Sequence, residues 1–168
     1  MHYQKLEMKV EQIYTGCLAE AAYYVHSKGE AVIIDPLRET APYIERAARD
    51  NVSIKYIFLT HFHADFVSGQ VDLARKTGAK IVFGPTAKAD YDFHEAKDGE
   101  VFTVGNVNME WVHTPGHTLE SSTILLKDEK GKDHCIFTGD TLFIGDVGRP
   151  DLAIKQGKLT EKDLAGLL

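Results

Sequence analysis

The first third of the chain alternates short apolar stretches with turns. Apolar and polar positions alternate over 8–14, which predicts a strand. Two more apolar stretches, 21–26 and 31–35, lie on either side of a Ser-Lys-Gly-Glu turn at 27–30 and predict a hairpin that opens a sheet. The largely apolar stretch 53–59 is rich in aromatic and β-branched residues and predicts a buried strand.

Two helices are predicted on either side of the strand at 53–59. Residues 40–50 have the spacing of an amphipathic helix, which we expect Thr40 to cap. The apolar stripe of this helix consists of Ile44, Ala47 and Ala48. Residues 68–77 form the second predicted helix, and a strand at 80–83 follows it. Strand, helix and strand at this spacing predict a right-handed crossover with parallel pairing.

The second half of the chain has the pattern of antiparallel hairpins. Its predicted strands are 101–104, 107–113, 121–127 and 134–138. A Gly-Asn pair at 105–106 and a charged loop at 128–133 divide these strands into two hairpins. The polar stretch 86–99 and the glycine-containing stretch 145–148 lack periodicity and predict irregular loops. A Thr-x-x-Asp sequence at 160–163 resembles a capping box and predicts the start of a helix.

Length and composition predict one soluble domain that covers 1–168. Hydrophobic residues make up 43% of the chain and charged residues 26%, as in ordinary globular proteins. The net charge of −6, without a basic block, disfavours a nucleic-acid partner. No apolar run approaches the roughly 18 residues of a membrane span, and the N-terminus lacks the apolar core of a signal peptide. We therefore expect a cytoplasmic protein without a membrane or nucleic-acid partner, in which Cys17 and Cys135 are free thiols.

The sequence Thr-His-Phe-His-Ala-Asp follows the buried strand directly, at 60–65. It offers two imidazoles and a carboxylate, from His61, His63 and Asp65, within one short loop. Loops at strand ends are where a rigid sheet presents functional groups, and imidazole with carboxylate suits zinc, iron or manganese. A loop without a ligand is the alternative for any single histidine, but three potential ligands so close together favour a metal site.

Two later stretches carry further potential ligands beside glycines. His117 follows a Thr-Pro-Gly turn, and Asp140 follows a Thr-Gly pair. Each stretch comes after a predicted strand, and glycine permits a sharp turn or a close approach of the backbone. We do not count His113 or His94 as ligands, because strand alternation separates the first from His117 and the second lies in a solvated loop.

These motifs resemble those of the metallo-β-lactamase superfamily, with His61-x-His63-x-Asp65, His117 in Thr-Pro-Gly-His-Thr and Asp140 in Thr-Gly-Asp-Thr. The sequences Thr-His-Phe-His-Ala-Asp-Phe, Gly-Asp-Thr-Leu-Phe and Gly-Asp-Val-Gly-Arg-Pro-Asp resemble in particular its persulfide dioxygenase branch. The resemblance is to bacterial forms, some of which are fused to rhodanese domains, and it covers nearly the whole chain. It implies an α+β fold, the αββα sandwich, here without its last strands and helix, and a rhodanese partner or fusion.

The resemblance also implies a metal and a reaction. In persulfide dioxygenases the residues that match His61, His117 and Asp140 hold one Fe(II) per chain. Two histidines and one carboxylate leave positions open at which a small-molecule thiol persulfide and O₂ can lie side by side. The implied reaction converts R–S–SH, O₂ and water into R–SH and sulfite.

Four further residues have implied roles around that ion. His63 and Asp65 would orient ligands, hold water or contribute to a second metal, and Asp35 would support the ligating imidazoles. Arg149, in Gly-Arg-Pro-Asp, would contact a carboxylate or phosphate of the thiol carrier. The alternatives are a simple strand-ending Asp-Pro turn at Asp35 and a surface salt bridge at Arg149.

Two other functions stay open. One is a zinc-dependent thioester hydrolase resembling glyoxalase II, in which a metal-bound hydroxide attacks the carbonyl. The two-zinc hydrolases of the superfamily carry a histidine where this chain has Phe66 and another downstream, yet no histidine follows Asp140, which favours iron over zinc. The other is an inactive fragment, because the last part of the usual domain is missing. The exposed edges left by that absence predict a homo-oligomer.

Overall fold

Residues 8–150 and 161–166 are described by a computed structural model. In this part of the chain, six strands form the first sheet and are neighbours in the order β1 (Met8–Thr15), β2 (Glu20–Ser27), β3 (Glu30–Ile34), β4 (Ser53–Phe58), β5 (Lys80–Phe83) and β6 (His94–Glu95). The second sheet consists of β7 (Val101–Val104), β8 (Val107–His113), β9 (Ser122–Lys127) and β10 (Asp133–Phe137), again in spatial order.

The other described elements are a small ribbon and the helices. The ribbon consists of β11 (Leu142–Phe143) and β12 (Asp146–Val147), and the helices are α1 (Ala41–Asp50), α2 (Gln70–Thr77) and α3 (Glu161–Ala165). None of the described helices combines the length and the apolar character that crossing a membrane requires. Cys17 is exposed, Cys135 is half-buried, and both are free thiols.

The first sheet changes from antiparallel to parallel pairing at β3. Strands β1, β2 and β3 pair antiparallel, and β3, β4, β5 and β6 pair parallel. Helix α1 connects β3 to β4, and α2 connects β4 to β5. The predicted hairpin and the predicted parallel pairing are therefore confirmed. Because the carboxyl ends of parallel strands meet at one edge, the loops after β3 and β4 begin side by side. The backbone N–H of Asp35 donates to the carbonyl of Phe58 over 2.9 Å at that edge.

Two apolar cores lie on the two faces of the first sheet. On one face, Tyr43 of α1 and Leu73 of α2 belong to the same buried cluster as Ile57 of β4. On the other face, Phe58 packs edge-on against Trp111 of β8, with ring centroids 5.3 Å apart. Neighbouring side chains of β4 therefore point to opposite faces of the sheet, as the two-residue period of a strand requires. The resulting stack of helices, sheet and sheet confirms the predicted α+β sandwich.

Two details predicted for α1 are wrong. Thr40 has helical backbone angles, φ −83° and ψ −20°, and its side chain makes no capping hydrogen bond. Its Oγ1 instead accepts a hydrogen bond from Lys76 Nζ over 2.7 Å, so the hydroxyl links α1 to α2. In the predicted apolar stripe, Ala48 is exposed, and Tyr43 takes the buried position because its longer side chain reaches the sheet.

Short strands occupy both stretches that were predicted to be irregular. Residues 94–95 pair with β5, and residues 142–143 and 146–147 form the ribbon β11–β12. Elements of two residues are too short to show an alternating pattern, which is why the sequence did not reveal them. Helix α3 begins at Glu161, close to the predicted start, but Thr160 of the proposed capping box lies outside the described residues.

Candidate metal centre

Three loops converge on one point at the edge of the two sheets. His61 follows β4, His117 lies in the turn between β8 and β9, and Asp140 follows β10. One ligand atom from each of these residues lies within 4.8 Å of the other two, and no other such group of histidine, cysteine and acidic side chains occurs in 8–150 or 161–166. The residues are far apart in the sequence, so the fold itself assembles the group.

The ring of His61 is held in one orientation by a chain of hydrogen bonds. Thr60 Oγ1 donates its only proton to Asp35 Oδ2 over 2.8 Å. The same oxygen lies 3.0 Å from His61 Nδ1 and must therefore accept a hydrogen bond from it. Nδ1 then carries the ring proton, and the lone pair of Nε2 is free. This nitrogen lies 3.8 Å from Asp140 Oδ2.

The ring of His117 is held by a main-chain group instead. Its Nδ1 lies 3.0 Å from the carbonyl oxygen of Arg149, which can only accept, so Nδ1 donates, and in the neutral ring Nε2 carries the lone pair. This Nε2 lies 3.6 Å from Asp140 Oδ2. Both imidazoles thus present an unprotonated nitrogen to the same carboxylate oxygen, and their rings meet edge to face with centroids 4.9 Å apart.

The distances and the donor set fit one metal ion. The two nitrogen–oxygen separations, 3.6 and 3.8 Å, are longer than a hydrogen bond. They match the roughly 3 to 4 Å between two ligands that each lie about 2.1 Å from one ion. Imidazole and carboxylate are ligands of iron and zinc alike, so the donor atoms alone do not select between these metals.

The local electrostatics favour the protonation states that a ligand set needs. Burial, followed by the neighbouring imidazole of His63, lowers the pKa of His61 to about 4, so its ring is neutral at pH 7. Burial also raises the pKa of Asp140, although the imidazoles of His117 and His63 oppose that rise. A cation bound between these groups would stabilise the ionised carboxylate of Asp140 and lower its pKa.

Asp35 supports the centre through its hydrogen bonds to Thr60. Its backbone is in the left-handed region, with φ +49°, and its side chain is buried. The two carboxylate oxygens accept hydrogen bonds from the N–H and the hydroxyl of Thr60, both over 2.8 Å. Burial opposes ionisation, but the charge of His63 and these contacts hold the pKa of Asp35 below its usual value. The structure thus brings Asp35 to the position that a residue supporting His61 requires.

His63 and Asp65 lie beside the three convergent residues but do not join them. The Nε2 of His63 is directed at Asp35 Oδ1, 3.1 Å away, although the alignment is too poor for a hydrogen bond. The His63 ring also packs on His61 and on Phe66, with centroid distances of 4.2 and 4.3 Å. Burial lowers the pKa of His63, but Asp35 outweighs it and the net shift is upward. Asp65 is exposed.

Two glycines let the loops approach this closely. Gly139 has φ +49°, and a Cβ there would lie 2.3 Å from Thr60 Oγ1, the oxygen that holds His61. A Cβ at Gly148 would lie 1.7 Å from the carbonyl oxygen of Asp140. Any side chain at either position would displace a group of the centre, which is the close approach predicted for the glycine beside Asp140.

A cavity of about 760 Å³ adjoins the centre and reaches it through Asp140. Its polar lining includes Glu20, Asp35, His63, Asp65 and Asp140. Its apolar lining includes Leu18, Phe66, Phe137, Leu142, Phe143 and Ile144. Burial, and then the carboxylate of Asp35, raise the pKa of Glu20 to about 7, against the opposing charge of His63.

The comparison with known proteins decides the family. Residues 15–165 match the family model described as the metallo-beta-lactamase superfamily. The chain belongs to this superfamily. Two solved members have similar structures: a metallo-beta-lactamase from Staphylococcus aureus with 38% identity and a TM-score of 0.81, and ETHE1 from Myxococcus xanthus with 27% identity and a TM-score of 0.77. Each covers 86% of this chain, which in turn covers 46% and 63% of those chains.

Curated relatives within the superfamily are named as hydrolases. A probable hydroxyacylglutathione hydrolase of Schizosaccharomyces pombe is 31% identical over 71% of this chain and 47% of its own length. The hydroxyacylglutathione hydrolase of Tolumonas auensis is 31% identical over 76% of this chain and 48% of its own length. The chain thus spans about half the length of the curated relatives it matches.

Sequence reasoning missed three residues that shape this superfamily site. Thr60 sets the tautomer of His61, Glu20 lines the cavity, and Glu120 Oε1 accepts a hydrogen bond from the Phe62 N–H over 3.0 Å, which ties the metal loop to the turn before β9. None of the three has a motif of its own. Arg149 contributes through its carbonyl, a role that any residue type could perform and that its side chain did not suggest.

Proposed function

We propose that this chain carries the metal centre of a persulfide dioxygenase. The observation that supports this best is the convergence of His61, His117 and Asp140, with both imidazoles braced in the tautomer that a metal requires. His63 faces Asp35 rather than this group, so the donor set is two nitrogens and one carboxylate. Such a set is typical of mononuclear non-haem iron oxygenases. The fold is similar to that of ETHE1, and the motifs resemble those of persulfide dioxygenases, which favours the same function.

His61, His117 and Asp140 would hold one Fe(II), and no other described side chain is needed to bind it. Bound iron would supply the one-electron chemistry by which O₂ reacts with a spin-paired sulfur compound. Thr60 and the Arg149 carbonyl keep the two rings oriented, because each fixes the proton on Nδ1. Asp35 holds Thr60 in turn. The role of these groups is to preorganise the ligands rather than to touch the substrate.

The overall reaction balances without another reductant. R–S–SH, O₂ and water give R–SH, sulfite and two protons: the S–S bond breaks, the terminal sulfur is oxidised, and O₂ is reduced. The cavity that begins at Asp140 gives the persulfide a route to the centre, and its apolar lining excludes water from part of that route. Arg149 and Asp65 are proposed to meet the substrate or its water, as the family resemblance implies.

A zinc-dependent thioester hydrolase is the second candidate, because the curated relatives are named hydroxyacylglutathione hydrolases. Two-zinc hydrolases of the superfamily carry a histidine at the position of Phe66. Here the aromatic ring of Phe66 packs on His63 and offers no ligand atom. Because His63 is also directed at Asp35, neither residue offers a ligand atom to a second zinc ion.

Metal analysis and oxygen uptake separate the two candidates. The protein is loaded anaerobically with Fe(II) or with Zn(II), and each form is given glutathione persulfide or S-lactoylglutathione. The dioxygenase proposal expects one iron per chain, O₂ uptake with the persulfide only, and sulfite as product. Binding of two zinc ions with thioester hydrolysis and no O₂ uptake would overturn it in favour of the hydrolase.

The proposal extends to the surroundings of the enzyme. The substrates are a small-molecule thiol persulfide and O₂, and the setting is the cytoplasm. A rhodanese partner or fusion would supply the persulfide, and a homo-oligomer would cover the exposed edge at β10, where Ile136 is 51% exposed. Size-exclusion chromatography with light scattering tests the last point.

A further inference from the structure

The ionisable groups that line the cavity beside the centre are mostly carboxylates. Among its described lining residues the ionisable groups are Glu20, Asp35, His63, Asp65 and Asp140, and no lysine or arginine belongs to the set. Three of these are already engaged. Asp140 points at the two imidazoles, Asp35 accepts from Thr60, and His63 faces Asp35. Glu20 and Asp65 therefore remain to meet a molecule that enters.

Glu20 in particular lacks what a buried carboxylate requires. Its Oε2 is buried and has no hydrogen-bond partner among the described residues. An unpaired acceptor away from water costs stability unless a proton or a donor reaches it. Burial and then the carboxylate of Asp35 raise the pKa of Glu20, although the charge of His63 opposes that rise. A ligand that brings an N–H donor would supply the missing hydrogen bond.

Part of the cavity lining is apolar and exposed to solvent. Leu142, Phe143 and Ile144 of the ribbon β11–β12 line it, with exposed fractions of 50%, 46% and 107%. Leu18, at the turn between β1 and β2, lines it as well and is 39% exposed. Methylene groups of a ligand would gain by covering these side chains. The cavity thus combines an acidic wall with an apolar one.

We propose that this cavity binds the thiol carrier and that Glu20 selects carriers with an ammonium or amide N–H near the sulfur, in preference to carriers with a carboxylate there. The inference rests on the proposed function only for the persulfide end of the ligand. The charge selection follows from the acidic lining, because carboxylates in a partly dehydrated site attract donors and repel anions. It makes Glu20 a specificity-determining residue.

Three short persulfides of similar length test the charge preference. The persulfides of cysteamine, 2-mercaptoethanol and 3-mercaptopropionate carry a cation, a neutral hydroxyl and an anion after the same two-carbon spacer. With the iron-loaded protein, kcat/KM should fall in that order, by about tenfold between the first and the last. Equal values, or the highest value for the anion, would overturn the proposal.

A matched pair of variants assigns the preference to Glu20. Glu20→Gln keeps the shape and removes the charge, so the preference for the cationic carrier should shrink to about threefold or less, mainly through KM. Glu129→Gln, at an exposed position outside the cavity lining, should keep the full preference. An unchanged preference in Glu20→Gln would refute the role of Glu20.

A third variant keeps the test decisive if Glu20→Gln does not fold. Leu18→Lys adds a cation to the rim at a partly exposed position, and should raise kcat/KM for the anionic carrier relative to the cationic one.

Binding of the three unreactive thiols, measured by calorimetry, tests the cavity separately from the proposed function. The same order of affinities without O₂ uptake would refute the dioxygenase but support the cavity assignment, and no order would refute the assignment itself.

Discussion

The two sides of the candidate metal centre differ in how firmly they are built. On the imidazole side, the side chains of His61 and His117 are 3% and 8% exposed, and each ring has a hydrogen-bond acceptor behind it. On the carboxylate side, the side chain of Asp140 is 44% exposed and precedes the ribbon β11–β12, whose apolar side chains face solvent. The imidazole side lies at the edge of the sheets, whereas the carboxylate side lies at the border of the cavity.

This difference separates two tasks that a metal enzyme performs. The imidazole side fixes ligand geometry before a metal arrives, which lowers the entropy lost on binding. The carboxylate side would join a metal bound at this centre to the cavity. The imidazole side consists of groups that the two sheets bury, whereas the carboxylate side lies next to the ribbon β11–β12, which no described element covers. Substitutions on the two sides should therefore affect metal affinity and fold stability to different extents.

The largest effect is expected when a ligand is removed. His61→Ala, His117→Ala and Asp140→Ala should each lower the iron content from about one ion per chain to less than about a tenth, because a two-donor remnant binds weakly. Metal content after gel filtration is the measurement. Asp140→Ala should leave the stability of the metal-free protein nearly unchanged, since that side chain is half-exposed.

His134→Ala serves as the control for these variants, because His134 is exposed on β10 and does not belong to the convergent group. It should keep its iron. If any of the three ligand variants also keeps a full equivalent of iron, the assignment of the centre is wrong.

The next effect is expected from the group behind one ring. Thr60→Val keeps the shape of the side chain but removes the oxygen that accepts from His61 Nδ1. Metal affinity should fall by roughly 10- to 100-fold, as it does when partners behind ligating histidines are lost. A chelator competition measures the affinity. Thr103→Val, at an exposed threonine of β7, is the matched control and should leave it unchanged; equal affinities for both variants would show that Thr60 does not hold the ring.

A smaller effect distinguishes two glycines with positive φ near the centre. Gly139→Ala should destabilise the fold by about 2 kcal/mol more than Gly145→Ala, because overpacking adds to backbone strain. A Cβ at Gly139 would meet Thr60 Oγ1, whereas nothing lies within 4 Å of a Cβ at Gly145, which has φ +84°. Urea denaturation gives the two free energies. Equal losses would mean that the loop after β10 moves away freely.

The smallest effect is expected far from both sides of the centre. Glu11 of β1 accepts a hydrogen bond from Arg46 Nε of α1 over 2.7 Å, and this contact, with Lys9, lowers the pKa of Glu11 to about 2. A depressed carboxyl pKa stabilises the fold above the unfolded value of 4.5, and that contribution is lost as the pH falls toward 2. Glu11→Gln should cost less than about 1 kcal/mol at pH 7, since solvent screens the pair.

Urea denaturation of wild type and Glu11→Gln across pH 2 to 7 checks this expectation. The difference between the two should vanish at the acidic end. A constant difference at every pH would show that the ion pair does not contribute.

The sequence predicted the elements that carry periodicity. The buried strand before His61, the two helices and the hairpins of the second sheet have enough length for an apolar pattern to be visible, and their bounds agree with the structure within a few residues. The family resemblance also indicated which loops meet, because it implied one ion held by His61, His117 and Asp140. Two-residue strands and the exposed face of Ala48 depend on tertiary contacts, which no local pattern records.

The braces of the site were less visible than its ligands. Thr60, Glu120 and the carbonyl of Arg149 act through atoms that many residue types share. The partners of Glu120 and Arg149 are also distant in the sequence. Asp35 was expected to support the imidazoles because of the family resemblance, but its contact through the Thr60 hydroxyl depends on the tertiary fold. Glu20 carried no signal at all, since its character comes from burial beside other acids.

The backbone contact to His117 has a consequence for how this site can evolve. A carbonyl oxygen is common to all amino acids, so the partner of His117 survives any substitution at position 149 that preserves the path of the chain. A change of the side chain at that position would therefore keep the contact that orients His117. The opposite holds at position 60, where the hydroxyl itself is required and the choice narrows to threonine or serine.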